Sequence, residues 1–354
     1  MKRIQLVLAV LIFGSLTATQ AEESPNSWFG LRISQASWEP AAFNELDKLR
    51  QTGLQNSSLF SGSLLAVPAD YFDYGQARQS MPMVELIISI GGANNRGNIN
   101  LGYAGTGSAK LDAKGLSYLY SQTFNIISQT NSNQFSIFQK SELKHFELGY
   151  DHELYLFRDQ SSVLKDVGFI LGLQLARDEF FADQYNTGFT QVDSGTSGSI
   201  TSSSISQINS TGSTEHNITT ADLHFGLIYR KQFAEKLEFE AGASFGAGKG
   251  QSTAIISSLS LLTLGSSTFP LETSSEYTSD GDLRTSRFHL GLGYLINESV
   301  SIKLHYGTEN RYYTPTSGSI KAGGLVTIEN PVSGPFYTQK DKLSTIGLEF
   351  QARF

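Results

Sequence analysis

The chain has 354 residues, 39% of them hydrophobic, with 34 glycines, 23 phenylalanines and a formal net charge of −7 at neutral pH. That charge, unrelieved by any Lys/Arg cluster, argues against a nucleic-acid binder, whose phosphate contacts need basic patches. Without cysteine there is no disulfide framework, no lipid-modified N-terminal cysteine and no thiolate metal centre.

Lys2 and Arg3 precede an apolar stretch over 4–16, followed by Thr17-Ala18-Thr19-Gln20-Ala21, with small residues leading up to the cleavage site. This pattern predicts a secretory signal peptide over 1–21 and a single mature domain over 22–354, beginning at Glu22. Its apolar core is shorter than the roughly 20 residues a spanning helix needs, and no later stretch reaches that length. A helical membrane protein is therefore excluded.

Further along, apolar and polar residues alternate with period two. Counting that alternation predicts strands over 28–38, 83–92, 98–104, 145–157, 167–178, 220–229, 237–249, 287–296, 301–312 and 343–354. Most approach the length of about 9 to 11 residues that a tilted membrane-spanning strand needs. Links at 93–97, 158–166, 230–236 and 297–299 are short, and the five between them are long. Short periplasmic turns, long extracellular loops and periplasmic termini follow from that alternation.

In the first long loop, Pro40 opens a predicted amphipathic helix within 38–50, with Phe43, Leu46 and Leu49 on one side. It either folds over the barrel mouth or packs on the loop's own Phe60, Leu64 and Leu65. Between 110 and 144, segments 115–120 and 133–138 form a further hairpin joined through Thr130, Asn131 and Ser132. Two counts follow: twelve strands, or ten with this hairpin projecting above the membrane. The segment 193–204, rich in Ser, Thr and Gly, lacks the apolar mass to order itself and is expected to be mobile.

The last strand carries the most specific signal. Ile346, Leu348, Phe350, Ala352 and Phe354 form an apolar stripe, and Gly347, Glu349, Gln351 and Arg353 a polar one. Such a strand, ending on Phe, resembles the terminal strand of bacterial outer-membrane β-barrel proteins. The resemblance implies an all-β fold, a closed antiparallel transmembrane β-barrel, in the bacterial outer membrane. It implies outer-membrane lipids and the barrel-assembly machinery as partners, with Phe350 and Phe354 as the assembly signal.

Residues opposite the apolar stripes face the lumen by parity: Arg32, Glu85, Glu147, Asp151, Glu153, Asp222, Glu238, Glu240, Arg287, Lys303, Glu349 and Arg353. His145 and His224 also point inward and His152 toward lipid, while His289 and His305 become neighbouring imidazoles across the turn at 297–299. No metal or cofactor is expected, because two histidines without a nearby carboxylate make a weak site. Trp28, Phe29, Phe157, Tyr229, Phe233 and Tyr294 are assigned to a periplasmic aromatic girdle, and Phe180, Phe181, Phe288, Tyr312 and Tyr313 to an outer one.

The acidic lumen points to a porin-like channel for small hydrophilic solutes or ions, weakly cation-preferring. A charge network that fills the interior is the competing account of the same residues. Long Ser/Thr/Asn-rich loops point instead to a surface-exposed adhesin or structural barrel that binds a host or cell-surface ligand. Asp222-Leu223-His224 resembles the Asp–His element of omptin proteases, with Asp280-Gly281-Asp282 as the Asp-x-Asp candidate for its partner. Acidic turns and lumen histidines have ordinary structural reasons, so no enzymatic activity is expected.

Overall fold

The computed structural model describes residues 27–41, 78–92, 94–106, 112–123, 126–158, 163–196, 199–264, 267–323, 328–332 and 338–354. The signal peptide expected over 1–21 and the loop helix beyond Ala41 lie outside the described residues.

The strands are β1 (Trp28–Glu39), β2 (Gln79–Gly91), β3 (Asn95–Thr106), β4 (Asp112–Thr123), β5 (Ile126–Leu154), β6 (Val167–Thr196), β7 (Ser199–Ala234), β8 (Leu237–Leu264), β9 (Ser267–Leu295), β10 (Val300–Gly323), β11 (Ile328–Val332) and β12 (Gln339–Arg353). Ten of them close a ring in the order β1-β2-β3-β5-β6-β7-β8-β9-β10-β12. Every pairing is antiparallel, and β12 returns to β1 from Trp28↔Arg353 to Glu39↔Lys342. β4 and β11 stand outside the ring, paired with β5 and β10.

Period-two alternation is what makes the ring a membrane barrel. On β2, Met83, Glu85 and Ile87 are buried while Val84, Leu86 and Ile88 are exposed. The same holds around the ring, where Ile33, Leu223, Phe225, Phe245, Leu292 and Ile346 are among the exposed apolar side chains. A continuous apolar belt of this extent is unfavourable against water and favourable against hydrocarbon. Pro82 sits just beyond the β2–β3 pairing, which begins at Met83↔Ala104, so its missing N–H removes no hydrogen bond on that side.

Several expectations are corrected. The ring has ten strands, but the extra hairpin turns elsewhere: Thr130, Asn131 and Ser132 lie inside β5, opposite Leu119, Tyr118 and Ser117 of β4. Of the segment 193–204, expected to be mobile, residues 193–196 belong to β6 and 199–204 to β7, with Val192↔Ser204 and Asp193↔Ser203 in register. The strands β5 to β9 run to 28–36 residues, well past what a bilayer requires. β1, β2, β3 and β12 stop at 12–15 residues. Among the described residues one rim of the barrel is therefore lopsided, tall along β5 to β9 and low along β1, β2, β3 and β12.

Three girdle aromatics also point the other way. Trp28, Phe180 and Tyr313 are 9%, 2% and 3% exposed and share parity with the inward residues of their strands, whereas Phe29, Phe233, Phe288, Tyr294 and Tyr312 are exposed on the outside. Near a strand end, aromatic character alone does not decide the face; parity does.

Replacing the most exposed belt residue tests the orientation. Phe225→Arg is expected to lower unfolding free energy by about 2–4 kcal/mol, the cost of an arginine near the bilayer midplane. Urea titration in liposomes reads this change, and an unchanged midpoint would place β7 the other way round.

Candidate functional site

The enclosed face is crowded with charge, and its arrangement follows from glycines. In register, Asp151 of β5, Gly172 of β6 and His224 of β7 lie side by side. A Cβ on Gly172 would collide with both Asp151 Oδ1 and His224 Nε2. Those two atoms instead meet at 2.5 Å over the glycine, which joins strands that are not neighbours. Gly246 of β8 is straddled in the same way by Asp222 of β7 and Thr285 of β9, whose hydroxyl donates to Asp222 Oδ2 at 2.5 Å. Gly291 of β9 lies beneath the Lys303 stem, which reaches Glu240 Oε2 at 3.1 Å.

Four linked groups result. Arg32 is held by Glu85 at 2.8 Å and Glu349 at 2.7 Å. Arg230 binds Glu153 at 2.8 Å and Glu240 at 2.7 Å, with Glu238 at 3.6 Å and His289 3.4 Å from the same Glu240. Arg287 joins Asp222 at 2.9 Å to Glu309 at 3.3 Å. Arg311 joins Asp178 at 2.9 Å to Asp341 at 3.0 Å, and His145 bonds Asp178 at 2.6 Å and Glu147 at 3.3 Å. Such pairs are a condition for keeping charge away from bulk water.

The His289 and His305 rings stack with centroids 6.3 Å apart, each ring lying opposite a glycine of the other strand, Gly307 and Gly291. His152 stands on the outer face, its Nδ1 3.3 Å from the Tyr150 hydroxyl. Arg353 lines a small recess near the end of β12 with Trp28, Arg96 and Glu238. Phe350 is exposed on the belt and Phe354 at the chain end. Among the described residues no group of three or more His, Asp or Glu side chains is arranged to hold a metal ion.

Between these groups lies a cavity of about 210 Å³, lined by Asp151, Glu147, Gln174, His224, His289, His305 and Glu309 among others. Among its lining residues, the buried atoms His224 Nδ1, His305 Nδ1 and Arg287 Nε and Nη1 have no hydrogen-bond partner. Groups of this kind demand water, and the chamber is far larger than the roughly 10–15 Å³ one water needs. Toward the end where the strands run long, the chamber ends at an apolar layer inside the barrel: Trp38, Met81, Met83, Leu143 and Phe180 are each no more than 2% exposed. Trp38 is pinned there by its indole N–H, 3.1 Å from Asp341.

Sequence reasoning missed the layer and much of the network. Trp38, Met81, Met83 and Leu343 share the parity of Arg32, Glu85 and Glu349, and Glu309 and Arg311 that of Lys303. The signal was present: the apolar residues were passed over because parity was read for charge, and Glu309 and Arg311 were overlooked although they are charged and lie within the predicted strand over 301–312. Arg230, Asp178 and Asp341 sit at or just beyond the predicted strand ends. The omptin-like residues are not brought together: Asp222 and His224 face the interior, while Asp282 is on the outer face beside Lys249 at 2.5 Å.

The fold is that of an outer-membrane-type β-barrel. No protein-family model matches the chain, and no curated protein matches it. Among solved structures, the outer membrane protease OmpT from Escherichia coli aligns over 95% of this chain and 100% of its own at 10% identity, with a TM-score of 0.39. The Pseudomonas putida toluene transporter TodX aligns over 98% and 93% at 9% identity, with a TM-score of 0.24. The Acinetobacter baumannii outer membrane channel DcaP aligns over 95% and 99% at 8% identity, with a TM-score of 0.16. At these scores the likeness carries no assignment of activity, so function has to be argued from the interior itself.

Removing one cation from the network exposes its energetics. Arg32→Met leaves Glu85 and Glu349 buried without their partner and is expected to cost about 3–5 kcal/mol of unfolding free energy, largely restored by adding Glu85→Gln and Glu349→Gln. Denaturant titration of the three proteins checks both steps.

Proposed function

We propose that the protein is a narrow bacterial outer-membrane channel for small hydrophilic solutes or ions, closed in the described state by the apolar layer. The observation that carries this reading is the polar chamber inside the barrel, lined by charged side chains and with room for water. A hydrated chamber capped by tightly packed apolar side chains has the character of a gate that works by excluding water. Carboxylates on the enclosed face outnumber arginine and lysine heads, which favours cations over anions.

Single-channel recording of the refolded protein in a planar bilayer, under a salt gradient, tests this. The wild type is expected to open rarely, to small steps with a cation-leaning reversal potential. Trp38→Ala and Phe180→Ala thin the layer and are expected to raise the open fraction severalfold. Silence of all three correctly folded proteins would end the channel reading.

A second reading rests on the lopsided rim. β6 and β7, at 30 and 36 residues, form a ribbon far longer than anchoring requires. A barrel that presents such a wall to the exterior suits a surface-interaction protein. Excising residues 188–208, between the paired Thr187 and Asn209, is expected under this reading to abolish attachment of expressing cells to their ligand surface while leaving the barrel folded. Retained attachment would remove it.

A further inference from the structure

Cations on the outer face, at the border of the apolar belt, fall into two sectors. On β5, β6 and β8 each has its own carboxylate: Lys144 is 3.2 Å from Glu142, Arg177 2.7 Å from Glu179 and Lys249 2.5 Å from Asp282. The sector from β9 through β10, β12 and β1 to β2 is different. Arg284, Lys340, Lys342 and Arg78 share the outward parity of their strands, and among the described residues none lies within ion-pair distance of a carboxylate. Arg78 donates to the Ser37 hydroxyl, and Glu39 stands opposite Lys342 without bonding it. Asp282, the next outward residue of β9, is already taken by Lys249. Four cations thus face one carboxylate.

Register stacks this sector in order of polarity. Arg284, Tyr312 and Lys340 lie opposite one another in the first row, with the Lys340 Nζ 5.9 Å from the Tyr312 ring centroid. Ser286, Asn310 and Lys342 form the second row. Thr308 and Ser344 follow in the third, their hydroxyls 3.2 Å apart. Below them the belt begins, with Tyr306 opposite Ile346 and Leu304 opposite Leu348, all exposed. Cation, hydrogen-bonding group and hydrocarbon succeed one another down the same three strands.

That succession is complementary to one kind of molecule. A soluble anion would meet only the first two rows, where single exposed ion pairs are weak. A zwitterionic headgroup would bring a cation of its own against Arg284 and Lys340. An anionic phosphate joined to acyl chains matches every row: guanidinium and ammonium groups hold the phosphate, hydroxyls and Asn310 meet the ester linkage, and the belt covers the chains.

We infer that this sector is a binding surface for an anionic membrane lipid with a phosphate headgroup, held among Arg284, Lys340, Lys342 and Arg78. The lipid belongs to the leaflet on the side where the strands run long. The inference concerns the outer face and is independent of the channel reading.

Native mass spectrometry of the refolded protein released from dodecyl maltoside micelles tests it, with dioleoyl phosphatidate as probe and dioleoyl phosphatidylcholine as counterpart. Folding of every variant is checked by heat-modifiable gel mobility. Saturable phosphatidate binding is expected, with phosphatidylcholine bound far more weakly. Arg284→Gln, Lys340→Gln and Lys342→Gln together are expected to weaken phosphatidate binding by at least about tenfold, from the loss of three basic groups at the membrane surface. Lys340→Gln alone provides a second route should that variant fail to fold, and is expected to weaken binding as well. Lys144→Gln, Arg177→Gln and Lys249→Gln together remove the same charge from the paired sector and are expected to bind as wild type. Equal binding of the two lipids, displacement of phosphatidate by an equal concentration of inorganic phosphate, equal loss in both triple variants, or undiminished binding in the folded variants of this sector would overturn the inference.

Discussion

The closure of β12 onto β1 is the constraint from which the rest follows. In hydrocarbon an unpaired backbone N–H or C=O has no water to turn to, so a spanning sheet must either close or remain outside the membrane. The register from Trp28↔Arg353 to Glu39↔Lys342 removes both edges. Once it does, every side chain of inward parity is trapped in one narrow bore. Arg32, Glu85 and Glu349, drawn from three strands that meet at the seam, then pair across it, with the arginine between the two carboxylates. Ion pairing is thus a consequence of topology, not an addition to it.

Glycine decides how far that pairing reaches. Adjacent strands bring only their own opposite residues together, and a normal side chain on the strand between would separate next-nearest strands. Gly172, Gly246 and Gly291 remove that obstacle, which lets β5 reach β7, β7 reach β9 and β10 reach β8. The glycines at 246, 248 and 250 serve as interior strand positions within β8. The same vacancies open the chamber: where the straddling side chains lean together over a glycine, space is left behind them.

Two chemistries divide the bore along its length. The chamber is polar and has the room to hold water, and the layer of Trp38, Met81, Leu143 and Phe180 is packed without accessible surface. Asp341 links them, accepting from the Trp38 indole and from Arg311. The network and the cap thus share one anchoring carboxylate. Beyond the cap, the long strands β5 to β10 carry the main-chain ladder out of the membrane on one side only.

Parity needs nothing beyond the chain's own order, so the ring of ten, the alternation of short and long links and the inward placement of Arg32, Glu85, Asp151, Asp222 and Glu349 were legible in the residues. Strand ends were not, because outside the bilayer no hydrophobic alternation marks where pairing stops: β6 and β7 continue through Ser- and Thr-rich segments held by each other's backbone. The inward turn of Phe180 and Tyr313 was masked for the same reason, since an aromatic near a predicted strand end reads equally as belt or plug. What the sequence by itself determined was the period of two, hence the barrel and its two faces, because that depends only on local backbone geometry. Which charges meet, where the chamber opens and what caps it were decided by the tertiary structure alone. Those contacts join strands that are not neighbours, and their partners depend on the shear of a ring that exists only once it has closed.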